Sequence, residues 1–349
     1  MGTTFVEYLR QRLPLVEEAL SRSADAPLAA AGTRAANDLD SYLYGPLSRF
    51  TAGGGKRVRP VLALLGAEAV GGRAEQALSA GLAIELFQSA ALIHDDIADE
   101  SELRRGQPCL HLTEGIGPAI NAGDLALTQV FEIVLDDETL PADRKLRILE
   151  ELVRMERHTL EGQALDLGWA RDDRWDIAPD DYLYMVDAKT AWYSAACPLY
   201  LGALAAGAEE ERAHGLIEVG LHAGIAFQIQ DDLLNLVGDA EAQGKDFRSD
   251  ITEGKRTLAV VTALDTLGSA AREELIGLLR AGTRDRSDLA RAVELIEQGG
   301  GIDRCRTLAE QEAEAARACA RNLAEKDIVT QESGELLCSM ASFFVERAS

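Results

Sequence analysis

Cysteine is scarce, and the five that occur, at positions 109, 197, 305, 319 and 338, form neither a CxxC pair nor a metal-ligand spacing. They read as buried or surface thiols of a reducing cytoplasm rather than as a disulfide framework. Aromatic side chains make up only 5% of the chain while alanine and leucine dominate, which favours helix over sheet. Positive charge is also in short supply. Against 59 Asp and Glu stand 35 Lys and Arg, a formal net charge of −24, so neither nucleic acid nor an anionic membrane is expected as a general partner. No long hydrophobic run appears: the longest, from Ala195 to Ala208, contains Pro198 and is too short to span a bilayer comfortably, so no integral membrane segment is expected. Residues Met1 to Arg10 carry charges where a secretory signal needs an apolar core, so no such signal is expected either. Pro/Ser-rich linkers and low-complexity stretches are missing. Size alone would allow two domains in 349 residues, but the connections at Arg171–Asp181, Ala206–His214 and Gly282–Ser287 are short, and a single domain over 1–349 is expected.

What is present is helical periodicity. Helices are predicted at about 4–21, 34–47, 58–70, 74–97, 116–135, 142–167, 179–205, 209–236, 258–267, 270–281, 286–297 and 302–347, the last broken near Asp327. No alternating strand competes. Residues 217–236 are apolar on almost every face, as are 82–97, so each is expected as a central helix wrapped by others.

Both of these apolar helices end in acid. Asp95-Asp96-Ile97-Ala98-Asp99 and Asp231-Asp232-Leu233-Leu234-Asn235 are variations on one phrase, LIHDDI and QIQDDL. At 3.6 residues per turn Asp95 lies beneath Asp99 and Asp231 beneath Asn235, which gives each helix a face of oxygen ligands. Mg2+ prefers oxygen and is usually held by one or two carboxylates together with substrate phosphates. A single acidic doublet is more often a solvated face, because like charges four apart cost only about 0.2–0.5 kcal/mol. Two such clusters in apolar helices point instead to a divalent-metal and polyphosphate site. Charges about 4 Å apart interact by roughly 4 kcal/mol at an effective dielectric near 20, so carboxylates crowded together require cations. A bound diphosphate would require basic side chains too, and Lys56, Arg57, Arg59, Arg104, Arg105, Lys189, Lys245 and Lys255 sit in short Gly-containing motifs.

The stretch Gly53-Gly54-Gly55-Lys56-Arg57-Val58-Arg59-Pro60 joins a glycine turn to three cations, a combination that lets backbone N–H groups approach an anion. Alone it serves equally as a solvated connection. Neither it nor Glu253-Gly254-Lys255-Arg256-Thr257 has Walker A spacing, so a nucleoside triphosphatase loses support. Arg104-Arg105-Gly106 closely follows the first acidic cluster, yet the pair could simply balance Glu100 and Glu102. His94 is adjacent to Asp95 but is more often packed beside such a site than ligating in it. Phe87, Phe227, Trp192 and Tyr193 could face a cationic intermediate, although aromatics at helical spacing are usually core.

Taken in order, GGGKRVRP, LIHDDIADESELRRGQPCLH, EGQALDLGW, YLYMVDAKTAWYS, and FQIQDDLLNLVGD with GKDFRSDITEGKRT resemble the trans-polyprenyl (isoprenyl) diphosphate synthases of the geranylgeranyl and farnesyl types. The resemblance is close over residues 40 to 265 and looser beyond. It implies an all-α, single-domain helical bundle of the isoprenoid synthase type around a deep central cavity. It also implies a cytoplasmic homodimer that joins isopentenyl diphosphate to an allylic diphosphate. By the same likeness Asp95, Asp99 and Asp231 ligate Mg2+, three ions per site with diphosphate bound, supported by Asp96 and Asp232. Arg104, Lys189 and Lys245 hold the allylic diphosphate with Lys255 nearby, and Lys56, Arg59, Gln88 and Arg105 match the isopentenyl diphosphate site. Thr190, Gln228 and Asp166 match positions that steer the reacting carbons and order the lysines.

This chain departs from the family pattern in several places. Asn235 replaces a frequent Asp, and Gln88 a frequent His. The first acidic motif lacks the two-residue insertion of some shorter-chain subtypes. Phe87, Ala90 and Ala91 fall on the chain-length tunnel beside Leu86–Leu92, and the two small residues leave room for a long product. Geranylgeranyl diphosphate is therefore the expected product, with farnesyl or longer chains open. A class I terpene cyclase needs no second diphosphate, so GGGKRVRP and RRG argue against it. A non-catalytic regulatory subunit usually loses acidic ligands, and this chain keeps both clusters. Arg347 is a candidate for closing over the site.

Overall fold

Straight-chain residues and alanine lose little rotamer freedom in a helix, and a chain built mostly of them folds accordingly. The computed structural model describes residues 3–22, 31–238 and 248–346. Helix accounts for nearly all regular structure. The expected elements appear with small boundary shifts, among them Leu78–Ala98, Ile116–Leu135, Ala142–Arg171 and Glu210–Val237. The tail breaks between Gly301–Glu325 and Gln331–Glu346, beside Asp327 as expected. Three small features lie outside the expected elements: the short helices Leu110–Thr113 and Ser249–Thr252, and the pairing of Leu103–Arg104 with Gln107–Pro108 as a minimal antiparallel hairpin.

The chain divides into two compact units. One comprises Val6–Val153 and Pro198–Ala213. Its central helix, Leu78–Ala98, is buried at every position from Ser79 to Ala90. Ala90 and Ile93 pack with Leu47, Leu110, Ala119, Ala122 and Ala126, so small residues let Ile116–Leu135 approach closely. His94 lies in the same contact. A Cβ added at Gly123 would come within 2.3 Å of His94 Nε2, which is 3.4 Å from the Ile120 carbonyl oxygen and 3.6 Å from Asp124 Oδ1. The packed role for His94 is the one observed. By length and composition residues 74–98 could cross a membrane, but 78% of that apolar window is buried inside the fold.

The other unit comprises Met1–Phe5, Arg154–Cys197 and His214–Ser349. Its core gathers Tyr182, Met185, Ile229, Leu233, Leu258, Leu275, Leu295 and Cys305. Helix Glu210–Val237 presents Gly220 and Gly224 to Ala196 and Ala191, where added Cβ atoms would come within 2.3 and 2.6 Å of the facing Cα atoms. Gln228 and Asp232 continue this line at four-residue steps, so the close approach of two helices also aims the polar end of the stripe. Phe344 packs edge-on to Phe227 at 5.1 Å between centroids, and Phe5 packs on Phe343 at 5.5 Å.

Candidate active site

In the first unit the acidic cluster occupies the last turn of Leu78–Ala98, where the Asp99 N–H donates to the Asp95 carbonyl at 2.8 Å. Carboxylates at a helix C-terminus oppose the macrodipole by about 0.3–1 kcal/mol each, so this end is built for a cation. Asp95 and Asp99 are partly exposed. Asp96 is 1% exposed and turns inward, where its Oδ1 receives Arg104 Nε at 2.8 Å and Arg104 Nη2 as well. Its Oδ2 is buried with no hydrogen-bond partner.

Arg104 is aimed by the hairpin. Arg105 and Gly106 take φ of 54° and 73°, the paired positive values of a type I′ turn, which matches the twist of the flanking strands. Arg105 then lies against the glycine turn: a Cβ at Gly55 would stand 3.2 Å from Arg105 Nη2. Two motifs fifty residues apart thus meet, and the cations are crowded. Burial first, then repulsion from Arg57, Arg104 and Arg59, hold the Arg105 guanidinium below its usual range in spite of Glu85.

Arg57 has a different task from its neighbours. At φ 47° it turns inward and donates to Glu85 Oε1 at 2.7 Å, Glu17 Oε1 at 2.8 Å and the Thr51 carbonyl at 2.6 Å. Its charge is spent stiffening the turn, while Lys56 is exposed and Arg59 partly so. Gln88, one turn beyond Glu85, is buried with Oε1 unpartnered. Of the positions expected from the sequence to line a chain-length tunnel, Ala90 has no accessible surface, Phe87 is nearly as buried, and Ala91 keeps part of its surface.

In the second unit Gly162 lets Ala142–Arg171 approach the π-helical stretch Asp187–Ala196. One turn further along, Asp166 Oδ2 meets Lys189 Nζ at 2.5 Å. Burial would raise the Asp166 carboxyl, but Lys189 and then Lys255 outweigh it and hold it low. Widened π turns recur at functional sites, and this one carries both Lys189 and the buried Thr190.

Asp231 is partly exposed, whereas Asp232 points into the fold. Asp232 accepts from Gln228 Nε2 and from the Tyr182 hydroxyl, each at 2.6 Å. Burial and then the neighbouring Asp250, with a smaller push from Asp231, drive its carboxyl up to about 8 against those two hydrogen bonds. Asn235 donates to Ser249 Oγ at 3.1 Å and accepts the Asp250 N–H at 3.2 Å. Asn235 thus holds the start of the short helix Ser249–Thr252, which carries Asp250. Lys255 Nζ lies 2.5 Å from Glu253 Oε2 and 3.8 Å from Asp250 Oδ1. Beside it Arg256 is buried, stacked 3.8 Å over the Trp175 ring. Lys245 and Arg347 lie outside the described residues.

Each unit thus gathers its own share of the residues singled out from the sequence. Sequence reading missed Glu85, Tyr182, Ser249 and Asp250, which act on those residues from behind. Among the described residues no three His, Cys, Asp or Glu side chains cluster closely enough to hold a metal unaided. The candidate donors in each unit are carboxylate oxygens that keep accessible surface, Asp95 and Asp99 in the first and Asp231 in the second. That set fits a hard divalent cation whose coordination is completed by substrate oxygens and water.

The polyprenyl synthetase family profile matches residues 40–296. A short chain isoprenyl diphosphate synthase of Methanothermobacter thermautotrophicus is 38% identical over 296 residues, spanning 84% of this chain and 87% of the relative. A solved geranylgeranyl pyrophosphate synthetase from Pyrococcus horikoshii superposes with a TM-score of 0.84 at 31% identity, covering 98% of both chains. A geranylgeranyl pyrophosphate synthase from Corynebacterium glutamicum, complexed with isoprenyl diphosphate and magnesium, gives 0.81 at 30% identity, again over 98% of both. A match of this extent joins the helical fold, the paired acidic clusters and the crowded arginines, and the chain belongs to the polyprenyl synthetase family.

Proposed function

We propose that this protein is a Mg2+-dependent trans-prenyltransferase that condenses isopentenyl diphosphate with allylic diphosphates, and that its main product is geranylgeranyl diphosphate. The observation that carries the reading is the seating of Arg105 against Gly55 beside an acidic helix end. In a chain of net charge −24, four guanidinium groups crowded at one turn favour an anionic ligand.

In this reading Lys56, Arg59, Gln88 and Arg105 hold the isopentenyl diphosphate. Arg104, Lys189, Lys245 and Lys255 hold the allylic diphosphate, and Asp95, Asp99 and Asp231 hold the magnesium ions, three per site once diphosphate is bound, with Asp96 and Asp232 behind them. When bound, magnesium acts as a Lewis acid toward the diphosphate oxygens. The lysines and arginines stabilise the charge that develops on the departing pyrophosphate as the allylic C–O bond breaks. Asp166 orders Lys189, and Thr190 and Gln228 orient the reacting carbons. Among the described residues no side chain is an evident base for the final proton, which the released pyrophosphate can accept. The product grows past Phe87, Ala90 and Ala91.

For this work the two units act as one catalytic domain, in a cytoplasmic homodimer. An apolar stripe at seven-residue spacing supports the pairing: Leu146, Val153, Leu160 and Leu167 are 59%, 55%, 64% and 40% exposed along one helix. A second copy is the occupant that suits a heptad stripe of this length. The deciding experiment is chromatography of products formed by the purified chain from isopentenyl diphosphate with dimethylallyl, geranyl and farnesyl diphosphates in turn. Each primer should give geranylgeranyl diphosphate. A hydrocarbon from geranylgeranyl diphosphate alone would favour a cyclase, and no turnover by the chain alone would favour a regulatory subunit.

A further inference from the structure

Among the described residues Tyr182 is the largest side chain that is almost completely buried, at 1% exposure. Its ring is locked in the core with Trp169, Met185, Ile229, Leu233 and Cys305. Only its hydroxyl finds a polar partner, Asp232 Oδ2 at 2.6 Å. The other carboxylate oxygen is taken by Gln228 Nε2, also at 2.6 Å, from one turn earlier on the same helix. The two donors differ in kind. Gln228 moves with the helix that carries Asp232, whereas Tyr182 belongs to Pro179–Val186 and ties that helix to a separate one.

We propose that Tyr182 is a positioning residue for the metal-binding carboxylate Asp231, acting through Asp232. Successive helical residues are rotated by about 100°, so pinning the inward carboxylate fixes the direction in which the next side chain leaves the helix. Neither Tyr182 nor Asp232 needs to touch a cation for this. Groups hydrogen-bonded directly to a metal ligand are typically worth about 10–100-fold in metal affinity or activity, and Tyr182 acts one residue further back, which places it at the low end of that range.

The inference rests on the reading of Asp231 as a magnesium ligand, and the test separates the two. Magnesium is titrated calorimetrically into the full-length chain in the presence of inorganic pyrophosphate, for the parent and for Tyr182→Phe, with melting followed by circular dichroism. Tyr182→Phe removes one oxygen and preserves the ring. The expected result is about a tenfold loss of magnesium pyrophosphate affinity, a fall in kcat and an unchanged KM for isopentenyl diphosphate. Parent-like affinity in a folded variant would overturn the role of Tyr182 alone, and a parent that binds no magnesium pyrophosphate would overturn both readings. Should Tyr182→Phe not fold, a difluorotyrosine placed at 182 keeps the shape and makes the phenol a stronger donor. The affinity must then shift from the parent value, and an unchanged affinity would count against the proposal.

Discussion

Gly162 and Lys189 meet so closely that a Cβ on the glycine would lie 2.4 Å from the Lys189 backbone nitrogen. The approach sets the separation of two helices, and with it the 2.5 Å contact between Asp166 and Lys189 one turn away. Gly162→Ala should therefore cost about 1–3 kcal/mol through overpacking. It should also reduce turnover, because Lys189 is displaced. Urea unfolding and initial rates check both, and an alanine variant with parental stability and rate would contradict the packing account.

Arg57 and Glu85 form an ion pair whose side chains are 1% and 5% exposed. Removing one partner of a buried pair leaves the other charge stranded, at a cost of about 3–5 kcal/mol. Arg57→Ala should thus lower the unfolding midpoint sharply. Arg59→Ala, on the same turn but partly exposed, should leave stability nearly unchanged and raise the KM for isopentenyl diphosphate.

Glu156 is pushed up from 4.5 to about 7 by burial alone, and its Oε1 has no hydrogen-bond partner. The folded chain keeps a proton there that the unfolded chain releases near pH 4.5. The stability this contributes is complete below that pH and is lost as pH rises through about 7. Partial exposure screens its size. Glu156→Gln should flatten the decline, so that the variant gains on the parent across this window and the gain levels off above it. Denaturant midpoints measured against pH would show parallel curves if the carboxyl were not perturbed.

Ala90 and Ala91 differ by one position and by everything around them. Ala90 is enclosed among Leu47, Ile93, Ala119 and Ala122, so Ala90→Phe should cost about 1–3 kcal/mol from overpacking, besides any change in product. Ala91 keeps accessible surface, and Ala91→Phe should shift products from geranylgeranyl toward farnesyl diphosphate with little loss of stability. An unchanged product distribution in Ala91→Phe would remove this position from chain-length control.

Much of this was legible in the sequence because periodicity reports burial directly. The two apolar helices ending in acid, the break beside Asp327 and the absence of extended sheet all follow from which residues repeat at helical spacing. The hairpin at Leu103–Pro108 was not legible, since two-residue strands have no period to detect. Arg57 could not be separated from Lys56 and Arg59 by residue type. Its left-handed backbone turns it inward, and only the fold shows Glu85 and Glu17 waiting there. Tyr182 was invisible for a related reason. A tyrosine on an apolar face reads as core, and its hydroxyl acquires meaning only when a carboxylate fifty residues away is brought to it.

The central claim is that Asp95, Asp99 and Asp231 share magnesium ions around one diphosphate. A crystal structure of the protein grown with pyrophosphate and with manganese in place of magnesium tests it most directly, because manganese is located by its anomalous scattering. The account predicts ions ligated by carboxylates of both clusters and bridging the same pyrophosphate. Ions on one cluster only, or on carboxylates elsewhere on the surface, would contradict it.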